Sequence, residues 1–482
     1  MILRFIYCIL FNAKTAKMQM PPGNYRENSQ HSYSRGIGVK IKKTHILSLL
    51  AVVALAACTP APTAIPTMPI SPTFPSTPTE TNIPPSATPT PTFTPTLTST
   101  PEPTKRPASQ IFPDAEIVYS PAALDFDVET YLAQAGGFLS EYRQYLMITG
   151  WTSAAEIIQR VAIENSINPR LLLVLLEYQS GCVLGQPAAP ENFDTAMGAA
   201  DYYRKDLYGQ LVWAAHALSA GYYGRSEGSL SEISFSDDRI VPLPADINPG
   251  SAAVMNFFAQ LVDVENHAKA MAGFSALYSE LFGDPWEYAT LIGDLLPEGL
   301  EQPAFTLPFE SGETWAYTGG PHPAFEQNGP RASLDFAPRM AVSGCEPSDE
   351  WVVAVADGWV VRSELGVVIQ DLDDDGHEQT GWNVMYLHIG TEGRISDGTY
   401  VQAGEFIGHP SCEGGRATGT HLHIARKYNG VWIPAGGTIP FVLDGWTAHN
   451  GEDSYLGTLT RGDEVVTAHQ FGSAISRITR DE

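Results

Sequence analysis

Residues 59–108 read TPAPTAIPTMPISPTFPSTPTETNIPPSATPTPTFTPTLTSTPEPTKRPA. Each proline removes a backbone donor, and so dense a Pro/Thr mixture holds too little apolar surface to offset the entropy of ordering. The stretch therefore reads as an extended, semi-rigid spacer. At about 3 Å per residue, some fifty residues span on the order of 150 Å. Whatever folds must lie after it. A chain of 482 residues is long enough for two or three domains.

The segment before the spacer, VKIKKTHILSLLAVVALAAC, has a basic start at Lys40, Lys42 and Lys43, an apolar centre and small residues before Cys58. That pattern is a secretory signal. Leu55-Ala56-Ala57-Cys58 resembles a bacterial lipobox, which implies diacylation of Cys58 and a stable membrane anchor. Residues 1–38 are polar and irregular, and read as upstream of a true start at Val39. The expected order is a signal over 39–57 and a linker over 58–110. Of 28 basic and 54 acidic residues, 8 and 1 precede Cys58, which leaves a net charge of −33 after it. A chain so acidic is a poor partner for nucleic acid. The composition thus points to an exported protein anchored outside the cytoplasmic membrane.

Five cysteines are present: Cys8, Cys58, Cys182, Cys345 and Cys412. An exported compartment permits a disulfide. Cys345–Cys412 is the first choice because both fall in one expected domain, which leaves Cys182 a free, buried thiol. Sequence alone does not determine the pairing.

Residues 115–300 carry helical patterns. One helix is expected from Ala154 to Glu164, capped by Thr152 or Ser153. A second starts with Asn168 as cap and Pro169 in the first turn, stops at Gly181, and has an apolar face of Leu171, Leu172, Leu175 and Leu176. The run SINPRLLLVLLEYQSGCV resembles the helix ending in Glu-Ser of lysozyme-like lytic transglycosylases. The resemblance implies a glycan-binding domain. The acid that would protonate a glycosidic oxygen is replaced by Gln179, and Glu177 lies two residues away, on another side of the helix.

From 304 to 445 short β-type runs dominate: WVVAVADGWVVRS, GVVIQD, WNVMYLHI, YVQAGEFIGH, THLHIARK and GVWIPA. They predict an all-β, antiparallel domain, with a tail over 446–482 that adds closing strands. His421 and His423 stand two apart on an expected strand and so share a face. Asp335, flanked by apolar residues in SLDF, must be paired or liganded if buried. His322 follows a TGGP turn 13 residues before it. Arg331 stands four residues before Asp335, where a short His-x-x-x-Asp spacing would need histidine.

LPFESGETWAYTGGPH…SLDF, MYLHI and SCEGGRATGTHLHIARKYNGVW resemble the β-lytic metalloendopeptidases, a branch of the lysostaphin/LytM-type zinc peptidases that cut peptidoglycan peptides. This branch has a long His-to-Asp spacing. The resemblance covers about 304–435 and implies a duplicated hybrid motif fold. It implies His322, Asp335 and His423 as zinc ligands, with His388 and His421 as catalytic histidines. Peptidoglycan is the implied partner. There is no His-Glu-x-x-His, so no glutamate base of that type is expected. The competing reading on the same fold is a non-catalytic wall-binding or amidase-activating lipoprotein.

Weaker signals remain. Asp371, Asp373 and Asp375 before Gly376 begin like a calcium loop, but Trp382 stands where the closing glutamate belongs. His409 and Cys412 are placed to shape the site, and Trp315 and Tyr317 either line a groove or pack.

Overall fold

In the computed structural model, which describes residues 106–482 apart from 189, 201–202, 326–328, 339–343 and 347, the first long helices start at their capping residues. The signal, Cys58 and the Pro/Thr tract up to residue 105 lie outside the described residues. The helices are α1 (Val128–Ala135), α2 (Ala154–Asn165), α3 (Pro169–Ser180), α4 (Asp206–Ser226), α5 (Pro249–Ala259), α6 (Val264–Phe282) and α7 (Pro285–Ile292). Ser153 and Glu156 form a reciprocal capping box on α2. On α3 the Asn168 side chain accepts from Arg170 N, Pro169 occupies the first turn and Gly181 ends the helix at φ 62°. The expected apolar stripe of α3 is wider than four leucines. Leu173 and Val174 are also fully buried, because α3 lies at the centre of the helical packing rather than at its surface.

The lead-in before α1 is tied down by a buried carboxylate. Glu116 accepts from Asn168, from Arg170 at 2.8 Å and from the Tyr278 hydroxyl, so residues 112–120 are locked to α3 and α6. A charge removed from water needs such partners.

The β region is built on an antiparallel sheet whose main strands are β1 (Thr314–His322), β2 (Ser333–Ala337), β3 (Gly358–Glu364), β4 (Val367–Asp371), β5 (Trp382–Leu387), β6 (Thr399–Val401), β7 (Leu422–Tyr428) and β8 (Arg477–Thr479). Their order across the sheet is β6-β3-β4-β5-β7-β2-β1-β8, and Val431–Trp432 folds back on β7. A second layer holds the pair Val352–Val353 and Phe406–Gly408 and a four-stranded meander over residues 442–467.

Both faces of the central strands are buried. Val368, Val384, Tyr386, Leu422 and Ile424 pack inward with Phe441, Trp446 and Leu459 of the second layer. The alternate residues Val367, Ile369, Met385, Leu387 and Ala425 join the core of the helices. The helical region and the sheet therefore share a core across residues 293–304. Polar contacts follow the same seam: Ser166 Oγ donates to Gly430 O at 2.6 Å, and Trp432 N donates to the Tyr223 hydroxyl at 3.1 Å. Residues 446–482 belong to this body too. β8 closes the sheet edge on β1, and Ile478, Trp446 and Leu459 lie in the inner core.

His216 of α4 is buried, and its Nε2 has no hydrogen-bond partner. Burial, helped by the Arg204 charge, pushes its imidazole down from 6.5 to about 4. The folded state thus holds it neutral at pH values where the unfolded chain would protonate it, and stability falls as pH drops from about 6.5 towards 4. We expect His216→Leu to remove this dependence. Urea titrations at pH 7 and pH 4.5 should show wild type losing about 2–3 kcal/mol more than the variant over that interval.

Candidate metal centre

Adjacent strands carry residues distant in sequence to one place. β7 sets His423 opposite Asp335 of β2 on one side and opposite Leu387 of β5 on the other. Asp335 in turn faces Gly319 of β1, and His322 at the end of β1 pairs with Ser333. A Cβ at position 319 would lie 2.4 Å from Asp335 Oδ2, so β1 passes the carboxylate as bare backbone. His423 shares its side of β7 with Ala425, which packs on the helices, so the site opens on the face that the helical region flanks.

The hydrogen bonds decide which ring nitrogens are free. A carbonyl can only accept. His322 Nδ1 donates to Gly320 O at 2.7 Å, and His423 Nε2 donates to Ala324 O at 2.8 Å. In the neutral rings His322 Nε2 and His423 Nδ1 are therefore lone-pair atoms. They lie 3.0 Å apart, and each is 3.2 Å from Asp335 Oδ1. That oxygen is buried without a hydrogen bond. Burial raises the Asp335 carboxyl, but positive charge beside it, which His322 and His421 supply when protonated, holds it well below the usual carboxylate range. Burial pushes His423 down, which keeps it in the form that binds metals. Three electron-rich atoms facing one another repel unless a cation lies among them. Donors about 2.0–2.1 Å from a tetrahedral zinc would stand roughly 3.3 Å apart, so this triangle fits such an ion.

Two more imidazoles flank the triangle. His421 Nδ1 donates to Gly419 O at 2.7 Å, and its Nε2 lies 3.7 Å from Asp335 Oδ1. His388 follows β5 at φ 68°, a left-handed conformation that strains a non-glycine residue. The strain is offset locally. The His388 carbonyl accepts from Ser411 N at 2.6 Å and from Ser411 Oγ at 3.0 Å, and its Nδ1 donates to Glu413 O at 2.7 Å. The ring centres of His388 and His421 are 4.6 Å apart. Burial, followed by the neighbouring His421 and His423, pushes His388 down to about 3, so it is neutral at pH 7.

Cys345 and Cys412 form a disulfide with Cα atoms 5.3 Å apart, beside the Ser411–Glu413 segment that holds His388. Cys182 is free and buried. His409 packs on Trp351 and donates to the Glu350 carbonyl. Trp315 and Tyr317 pack in the inner core and line no groove. Arg331 Nη1 donates to Gly451 O at 3.2 Å and so joins two loops. Asp371, Asp373 and Asp375 approach one another within 4.8 Å, but Asp371 accepts from the backbone of Asp373 and Gly376, as in a self-capped turn. In the helical region, Glu177 accepts from the backbone of Val183 and Leu184.

Sequence reasoning missed Tyr455. Its ring stacks on His322 with centres 4.1 Å apart, and its backbone pairs with Gly320 and Pro321 of β1. Nothing local to its segment signals this, because the contact depends on the meander folding back over β1.

Residues 110–296 match the family described as LasA, N-terminal domain, and residues 342–434 match Peptidase family M23. Protease LasA of Pseudomonas aeruginosa is 26% identical over 345 residues, covering 66% of this chain and 74% of that protein. The beta-lytic metalloendopeptidase of Lysobacter enzymogenes is 28% identical over 144 residues, 30% of this chain and 76% of that protein. The solved structure of the M23 metalloprotease pseudoalterin is 22% identical, with a TM-score of 0.29, over 35% of this chain and 96% of that one.

The triangle makes a direct prediction. His322→Ala should abolish stoichiometric zinc in purified protein measured by elemental analysis, whereas Arg331→Ala should retain it. Equal loss in both would show that the upstream donor is misassigned.

Proposed function

The chain carries at its C-terminus a metalloendopeptidase domain of the M23 family, and we propose that it hydrolyses peptide bonds of bacterial peptidoglycan as a zinc enzyme anchored outside the cytoplasmic membrane. One observation carries the metal assignment: two imidazole lone pairs and an unpartnered carboxylate oxygen held 3.0–3.2 Å apart. In this reading His322, Asp335 and His423 are the zinc ligands. The substrate class is supported by the sequence resemblance to the wall-lytic branch. The lipobox at Cys58 and the long spacer after it support anchorage near the wall.

When bound, zinc supplies Lewis-acid polarisation of a carbonyl and activation of water. The chain's own residues do the rest. His388 and His421 spend their Nδ1 hydrogens on carbonyls of Glu413 and Gly419, which leaves each Nε2 available. One neutral imidazole accepts the proton of the attacking water at its Nε2; the imidazolium so formed steadies the charge that develops beside it and then passes that proton to the leaving amine, which returns the ring to its neutral form. The outer hydrogen bonds to Gly320 and Ala324 hold the His322 and His423 rings in place.

Purified protein from about residue 110 onward should contain stoichiometric zinc and release new amino termini from cell walls. His421→Ala should keep the metal and lose about 10²–10⁴-fold in turnover. A wild type that binds walls and releases no amino termini would instead indicate the non-catalytic reading.

A further inference from the structure

The hairpin between α1 and α2, formed by Arg143–Leu146 and Gly150–Ser153, is unlike the rest of the helical surface. Tyr145, Met147, Ile148 and Trp151 are exposed by 57%, 90%, 64% and 68%. No charged residue stands between Arg143 and Glu156. The hairpin is not loosely attached. Gln144 and Thr152 turn inward and are buried, the Gln144 amide accepts from Tyr208 N on α4 at 3.1 Å, and Ala154 N donates to Tyr142 O. A rigid base thus presents four large apolar side chains to the outside.

We propose that this hairpin inserts into the surface of a lipid bilayer. The order of side chains along it supplies the reason. The register pairs Leu146 with Gly150, Tyr145 with Trp151, Gln144 with Thr152 and Arg143 with Ser153. From the tip backward the exposed groups are therefore aliphatic Met147 and Ile148, then the Tyr145–Trp151 pair with ring centres 5.8 Å apart, then Arg143. That sequence matches the layers of a membrane: hydrocarbon, the interfacial belt that tyrosine and tryptophan prefer, and the headgroups that attract a cation. At about 3.3 Å per residue, Arg143 stands roughly 13 Å behind the tip, which matches a shallow interfacial insertion.

The polar atoms near the tip are also paired. Thr152 Oγ1 donates to Gly150 O at 3.1 Å, and the Thr149 and Thr152 hydroxyls bond at 2.7 Å. Ladder bonds pair the backbone groups between the two strands, and a shallow insertion leaves the outward-facing ones among headgroups and water. Sugar recognition would instead call for polar groups ranged beside the aromatic faces. The nearness of a membrane rests on the proposed lipidation of Cys58, from which the tract over 59–105 leads to the folded body. The acidity of the body does not oppose the contact strongly, because charges more than about 8 Å away are screened at physiological salt.

The test separates the hairpin from the lipid. The chain from residue 58 onward carrying Cys58→Ser has no acyl group to bind with. It should co-sediment with vesicles of phosphatidylethanolamine and phosphatidylglycerol. Met147→Asp combined with Ile148→Asp should lower that partition at least tenfold, and Met147→Leu with Ile148→Leu should restore it. The paired Asp variant should keep its melting temperature, its zinc and its cleavage of wall peptides. Trp151→Ala should weaken vesicle binding in the same direction. Absence of vesicle binding in the Cys58→Ser chain, or equal binding by the paired Asp variant, would overturn the proposal. So would an unchanged vesicle partition accompanied by lost self-association in sedimentation velocity, or by lost retention on purified sacculi. Lipidation of Cys58 is read separately, by mass spectrometry of the native chain.

Discussion

The sheet is buried on both faces, and its pleat sends alternate side chains of β4, β5 and β7 into two different cores. Leu422 and Ile424 enter one core, Ala425 enters the other, and His423 must therefore point out on the helical side. The same alternation aims Asp335, because Leu334 and Phe336 on either side of it lie in the inner core. A slip of one residue in β2 or β7 would drive these polar groups into an apolar layer, so the packing of the whole body holds the register that brings His322, Asp335 and His423 together.

A second consequence concerns the helices. They are not a separate module hung on the sheet, since Val367, Met385 and Leu387 complete their core. Ala324, whose carbonyl orients His423, is buried in that same cluster. The orientation of the His423 ring is therefore supported from the helical side. Likewise His388 owes its left-handed backbone to contacts with Ser411 and Glu413, next to the Cys345–Cys412 disulfide. The site is exact because three unrelated parts of the chain constrain it.

Much of this was legible residue by residue. Helix starts at Ser153 and Asn168 follow from local capping chemistry, which needs no tertiary context. The His421/His423 pair follows from strand period, and the 13-residue step to Asp335 from His322 becomes intelligible once both lie on adjacent antiparallel strands. Tyr455 was not legible, nor was the role of Arg331 as a bridge to Gly451. Both depend on a meander in residues 446–482 that returns over β1, and no short-range pattern encodes that return. Trp315 and Tyr317 could not be assigned between groove and core for the same reason: aromatic residues on a strand suit either place until the second layer is known.

By itself, then, the sequence determined which helices cap where, that the last third is antiparallel β, and that His421 and His423 share one side of a strand. Those features rest on local or periodic physics. Only the tertiary structure decided which ring nitrogens face one another, that the helices and the sheet share a core, and that the hairpin at Tyr145–Trp151 stands outside it. These depend on strand order and on the carbonyls that happen to lie within reach, and neither is written in the spacing of residues along the chain.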